Sequence, residues 1–400
     1  MSSRGFEEQR HQKGETNLEG IGKVSHPFEG VSMMTKEKNS HTSLALEVES
    51  VSRAFGRFLA LDNVSIKAWN GEFLTLLGPS GSGKTTLLRV IAGLDRAASV
   101  ATLRIDGGDV RNLPANERNV VTVFQEFALF PHMSVGENVG YGLRVRRVPK
   151  AEREKRVQEL LELVRLPNMY DRRIHQLSGG ERQRVSLARG LILNPVSVLL
   201  DEPLGALDEK LRVAMQVELL QLQRAVGTTF ICVTHSQEEA LTMSDRIVLL
   251  DHGRVVQEGP PEIIYERPKT RFVADFMGFE NIFEGELERF EEGTAVIRLS
   301  GSNLHGLWCG DSSPKIGGRV FGAVRAQMVH LGICPSDPKS SLNSVSCKVS
   351  TRVYKGKYAD LILESPLGQI TARIWDLHRE FLRPENVWWR KKDCVIGPIG

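Results

Sequence analysis

Residues 73–91 read Phe73-Leu74-Thr75-Leu76-Leu77, then Gly78-Pro79-Ser80-Gly81-Ser82-Gly83-Lys84-Thr85, then Thr86-Leu87-Leu88-Arg89-Val90-Ile91. This is an apolar strand, a glycine-rich turn with phosphate-loop spacing, and the start of an apolar helix. Glycines at 78, 81 and 83 allow backbone conformations that a Cβ would forbid, so successive N–H groups can turn inward around an anion. Lys84 adds a positive charge for β- and γ-phosphates, the helix start adds its positive dipole end, and the Thr85 hydroxyl is a candidate Mg²⁺ ligand. A nucleoside triphosphate is the expected ligand. The competing reading of these residues alone is an ordinary Gly/Ser turn.

Working outward, other strand ends carry polar residues. Val120-Val121-Thr122-Val123-Phe124-Gln125 reads as a buried central strand ending in a glutamine, where open α/β sheets place ligand-binding groups. Val196 to Leu200 form another such strand, running into Asp201-Glu202-Pro203. These paired carboxylates divide naturally between Mg²⁺ binding through water, by Asp201, and polarising an attacking water, by Glu202. Thr229 to Val233 lead through Thr234 to His235, a candidate γ-phosphate contact at the same level; a lone histidine would otherwise be read as structural. Leu177-Ser178-Gly179-Gly180-Glu181-Arg182-Gln183-Arg184 precedes a helix and reads as a second anion-binding turn, or as a helix cap. Upstream, Leu44 to Val48 and Leu61 to Ile66 look like short strands with Phe55-Gly56 between them. Phe55 is a candidate surface for an adenine ring. Residues 149–164 carry Val157, Leu160, Leu161 and Val164 at helical spacing, and Leu211, Met215, Leu219, Leu222 and Val226 mark another helix stopped by Gly227.

The 400-residue length suggests two or three domains, and 41% hydrophobic with 25% charged residues is a globular composition. A net charge of +3 gives no support for a nucleic-acid partner. Five scattered cysteines without metal-knuckle spacing fit a reduced compartment. No run approaches the ~18–20 apolar residues of a membrane span, and no secretory-signal pattern opens the chain, so any membrane role is expected to be peripheral. Residues 1–43 are polar and aperiodic, which reads as a disordered tail. Glu29-Gly30, a dipeptide a purine-rich ribosome-binding sequence can encode, lies upstream of Met33-Met34, so translation is expected to start at one of those methionines.

These motifs in this order closely resemble the nucleotide-binding subunit of ABC transporters over residues 44–275. The resemblance implies an α/β P-loop cassette with a RecA-like core and a helical subdomain at about 126–190, then an all-β OB-like (TOBE) regulatory domain over 276–400. It implies a Walker A loop at Gly78 to Thr86 (with Pro79, Ser80 and Ser82 lining ATP), a glutamine loop at Gln125, a signature at Leu177 to Gln183, and a Walker B strand into Asp201-Glu202. It further implies a D-loop at Leu204 to Asp208 and a switch histidine at His235. Phe55 matches the adenine-stacking aromatic. ATP and Mg²⁺ are then the expected cofactors, with Thr85, Asp201 and Gln125 at the metal and Lys84, Gln125, Glu202 and His235 serving hydrolysis. The family works as a head-to-tail dimer in which Ser178-Gly179-Gly180 of one copy cover the ATP held by the other. Permease subunits in the membrane, and indirectly a periplasmic or lipoprotein solute-binding protein, are implied partners at the cytoplasmic face of the inner membrane.

Val233 to Arg246 and Gly259 to Pro268 look like the importer subgroup that includes polyamine, sulfate, ferric-iron, phosphonate and maltose ATPases, and polyamine uptake is the first expectation. Transport of another of these solutes, or a non-transport ABC ATPase, is the alternative. Alternation at Val345, Cys347, Val349, Thr351 and Val353, and at Ile370, Ala372 and Ile374, agrees with an all-β C-terminal region punctuated by Gly356, Pro366 and Gly368. Ser236 after the switch histidine, Glu126-Phe127 after Gln125 and Ala326-Gln327 after Arg325 depart from the family pattern.

Overall fold

A computed structural model describes residues 43–205, 207–299, 302–332, 334–335, 342–375 and 384–399. All of the expected 1–43 tail except Ser43, with the expected start codons, and Ala206 lie outside the described residues.

The Phe73–Leu77 strand lies inside a six-stranded sheet, between Arg246–Asp251 on one side and Thr229–Thr234, Ser197–Asp201 and Val120–Val123 on the other. These five strands run parallel, and Arg254–Gly259 closes one edge antiparallel to Arg246–Asp251. Register sets the functional edge. Leu77 pairs with Thr234, Asp201 with Val233, and Val123 with Leu200, so the segments beginning at Gly78, Glu202, His235 and Phe124 all leave the sheet at one end. Successive strand residues face opposite layers, as a period of two requires. Phe73, Val198, Leu200, Phe230 and Cys232 pack against the helical layer, whose members include Val157, Leu161, Val185, Met215 and Leu219. Leu74, Leu76, Leu199, Ile231 and Val233 pack on the other face with Leu87, Leu88 and Ile91 of the Lys84–Ala92 helix. That helix is covered in turn by a four-stranded antiparallel sheet through Leu46, Val48, Ile66 and Leu103.

The two short strands expected at 44–48 and 61–66 are one long hairpin, Leu44–Phe55 with Phe58–Trp69. Register shifts between Val48 and Val51 and between Val51 and Arg53 interrupt the alternation, which hides the continuity from a periodicity reading. Helices at Val135–Val139, Tyr141–Val145, Lys150–Leu163, Gly179–Leu191 and Glu209–Val226 make the helical layer. The Glu209–Val226 helix ends at Gly227, whose φ of 67° is the left-handed C-terminal conformation glycine accepts readily.

The C-terminal region is all β. Five strands, Asn281–Glu291, Thr294–Leu299, Ser302–Trp308, Cys394–Pro398 and Arg319–Val324, close into a barrel in that order. Two three-stranded sheets, His330–Leu331 with Asn386–Arg390 and Leu342–Ser346, and Lys348–Tyr354 with Ala359–Ser365 and Gly368–Ile374, complete it. The continuous alternation expected over 345–353 is divided: the strand breaks at Cys347, a register shift falls between Val349 and Thr351, and Thr351 and Val353 are exposed.

Candidate functional site

The phosphate loop is shaped by close backbone contacts. Gly83 has φ 98°, and a Cβ there would collide with the Ala60 carbonyl and the Leu61 side chain of the long hairpin. Gly83 is therefore required both by its dihedral and by its neighbour. Ser82 O accepts from Gly253 N (3.1 Å), which ties the loop to the turn after the Arg246–Asp251 strand. Lys84 is 5% exposed, and its ammonium donates to Gly78 O (2.9 Å), Pro79 O (2.8 Å) and Ser82 Oγ (3.3 Å). Burial pushes its pKa down, opposed by the charges of Glu202 and Asp201. A lysine buried in a ring of oxygens, with two carboxylates nearby, is a cation held ready for an anionic ligand.

Thr85 Oγ1 donates to Asp201 Oδ1 at 3.1 Å. Burial raises the Asp201 pKa, the Thr85 bond lowers it, and the neighbouring Glu202 charge raises it again. A half-buried carboxylate beside a hydroxyl is an oxygen donor set that suits Mg²⁺, whose charge would offset the cost of ionising Asp201. Gln125 makes no hydrogen bond to either residue among the described contacts. It lies instead at Gly205, where an added Cβ would be 3.2 Å from the Gln125 Nε2 and 3.7 Å from Glu202 Oε2.

Glu202 sits at φ 47°, a left-handed conformation that a non-glycine residue adopts at a cost. Its N–H donates to Val233 O (3.0 Å), which fixes the turn against the neighbouring strand. The carboxylate Oε1 lies 3.2 Å from His235 Nδ1. The two strand ends expected to carry a carboxylate and a histidine therefore place them in contact.

Phe55 is 46% exposed at the hairpin tip, with the Arg53 guanidinium 4.5 Å from its ring centre. Ser80, Gly81 and Thr85 are exposed along the loop, and Thr86 is half-buried. Ser178 caps the Gly179–Leu191 helix: its Oγ accepts from Glu181 N (3.3 Å) and its N–H donates to Glu181 Oε2 (2.7 Å). Gly179 and Gly180 open that helix, Gly180 packed against Met215 and Leu211, and among the described hydrogen bonds none joins this turn to the phosphate loop. Asp208 is exposed and caps the Glu209–Val226 helix through Leu211 N (3.0 Å).

One expected nucleotide contact is corrected. Gln183 is fully buried, and neither side-chain amide atom has a hydrogen-bond partner. Positions 180, 183 and 187 share the inner face of the helix, so Gln183 points into the core and away from any nucleotide outside it. Two residues beside the site escaped the sequence reading: Glu239, buried on the short Gln237–Met243 helix, and Arg212, one turn into the Glu209–Val226 helix. Their spacing of four from His235 and from Asp208 was the available signal.

Comparison with known proteins adds to this geometry. Residues 61–205 match the model of the ABC transporter family. The chain is 45% identical over 359 residues to the spermidine/putrescine import ATP-binding protein PotA of Rubrobacter xylanophilus, spanning 88% of this chain and 93% of that protein. It is 44% identical over 337 residues to the protein of the same name from Aliivibrio fischeri, spanning 84% and 89%. Among solved structures, cbiO1 from Clostridium perfringens, part of the ABC transporter complex cbiONQ, superposes with a TM-score of 0.52 at 27% identity, covering 56% of this chain and 90% of that one.

Proposed function

Since the chain belongs to the ABC transporter family of import ATP-binding proteins, we propose that it is the ATPase subunit of an importer for polyamines such as spermidine and putrescine. The observation that carries this reading is the 45% identity spread over 93% of a polyamine-import relative, C-terminal β region included. Residues 44–275 are then the ATP-binding cassette, with a helical subdomain at about 126–190, and 276–400 are the regulatory domain.

Within the site, Lys84 and the backbone N–H groups of Ser80 to Thr86 hold the β- and γ-phosphates, and Phe55 faces the adenine. Thr85, Asp201 and Gln125 would hold Mg²⁺, which would neutralise charge on the phosphate oxygens. Glu202 orients a water toward the γ-phosphorus and takes its proton, while His235, with Nδ1 3.2 Å from Glu202 Oε1, steadies that carboxylate. Ser178 and Asp208 are exposed at their helix starts and Gly179 is half-buried beside Ser178, so this turn suits contact with a second copy and the working unit is a homodimer. Among the described residues no helix is long and apolar enough to cross a membrane, and we place the subunit at the cytoplasmic face of the membrane against permease partners.

The test is uptake of labelled spermidine in polyamine-transport-deficient cells given this chain and its neighbouring permease genes. Uptake that disappears with Lys84→Ala supports the assignment. Uptake of sulfate or iron but no polyamine would move the chain to another solute while keeping the ATPase.

A further inference from the structure

The loop that carries Glu202 is anchored at its far end by side chains that take no part in phosphate binding. Thr234 Oγ1 donates to Glu239 Oε2 (2.6 Å) and accepts from Ser236 N (3.0 Å), and Ser236 Oγ accepts from Glu239 N (3.3 Å). Glu239, 4% exposed, is thereby fastened to the hydroxyls of Thr234 and Ser236, the residues on either side of His235. Its second oxygen, Oε1, faces Arg212 Nε at 4.0 Å. Arg212 donates Nη2 to Leu207 O (2.9 Å) and Nη1 to Glu209 Oε2 (2.7 Å), so it grips the end of the 201–208 segment.

The distance is informative. A charge-assisted N–H···O bond closes at about 2.7–2.9 Å, so this pair stands roughly 1 Å wider than contact. Arg212 Nε is buried and has no hydrogen-bond partner. Burial also pushes the Glu239 carboxyl up, against the pull of its Thr234 bond and of Arg212. Both groups bear desolvation that a closed bond would relieve, which favours any shift of the 201–208 segment toward the His235 strand end.

We propose that Glu239 and Arg212 are a positioning pair for hydrolysis, locking the far end of the Glu202-bearing loop to the strand end that carries His235. His235 holds the Glu202 carboxylate directly; the pair holds the loop beneath it. The inference rests on the ATPase reading above. A misplacement of about 1 Å at a reacting carboxylate lowers turnover by up to about a hundredfold while leaving binding nearly intact.

The experiment measures ATP hydrolysis by the purified full chain against ATP concentration for Glu239→Gln, Arg212→Gln, Arg212→Lys and the Glu239→Gln/Arg212→Gln double variant, with binding of a fluorescent ATP analogue and thermal unfolding alongside. Each Gln variant should lose about tenfold or more in kcat with KM and analogue affinity within about twofold. The double variant should be no worse than the poorer single one, and Arg212→Lys should recover most of the rate. Glu239→Gln should melt no lower than the wild type, which separates lost positioning from lost folding. Unchanged kcat in the single variants, or losses that multiply in the double, overturns the pair and leaves the ATPase reading standing. A wild-type chain that binds the analogue but never hydrolyses ATP removes that reading and the pair with it.

Discussion

At the scale of single residues, the site gathers groups whose charge or backbone is costly where they stand. Glu202 occupies a left-handed conformation, Lys84 is buried, and Asp201 is a half-buried carboxylate whose pKa is raised first by burial. Glu202→Gln keeps the cradle and removes the proton acceptor, so hydrolysis should fall by about a hundredfold or more while ATP stays bound; a single-turnover assay beside a nucleotide-binding assay reads both. Asp201→Asn should melt higher than the wild type at neutral pH. A raised folded-state pKa means the native state binds the extra proton, so stability declines as pH rises from the unfolded carboxylate value, near 3.8, through the folded one. The gap between variant and wild type should therefore close below about pH 4, which thermal unfolding across pH can follow.

At the scale of elements, the phosphate loop depends on the hairpin beneath it. Gly83→Ala would place a methyl against the Ala60 carbonyl at a φ of 98°, two penalties at one position. A loss of about 2 kcal/mol or more is expected, with weakened ATP binding because the loop must move to admit the methyl. Chemical denaturation and nucleotide titration of the same variant test both halves. How much was legible also differs by element. The strand–loop–helix at 73–91 was readable because an unbroken apolar strand, three glycines and a helix start follow one another without interruption. The long hairpin was not, since Ser50 and Asn63 take positive φ at its irregularities and shift the pattern out of phase. Gln183 was misplaced for a related reason: a motif gives residue order, whereas only the packed helix shows which face meets the core.

At the scale of the whole molecule, Arg325 ties the barrel to the segment that leads into it. Arg325, 8% exposed, donates to Met277 O (2.9 Å), Gly278 O (3.3 Å) and Tyr265 O (2.8 Å). Its guanidinium also lies 3.6 Å and 4.0 Å from the ring centres of Tyr265 and Phe279. Around it Ala274 and Phe279 pack on Phe321, Ala323 and Val395 of the barrel. Arg325→Ala strands those carbonyls and opens the aromatic gap, so about 3 kcal/mol should be lost. Limited proteolysis should then cut near residues 277–281 faster in the variant than in the wild type, with the cassette fragment surviving.

By itself the sequence determined the chemistry on offer: a phosphate cradle, a carboxylate pair and a histidine, each at the end of an apolar run that only a buried strand explains. Tertiary structure decided which of these meet. Parallel pairing in one register brings Thr85 to Asp201 and Glu202 to His235 although 116 and 33 residues separate them along the chain. Tertiary packing also closes the barrel with the last described strand and sets Arg212 beside Glu239. Such contacts are fixed by strand register and layer packing, which join residues far apart in sequence, and no local pattern of side chains encodes them.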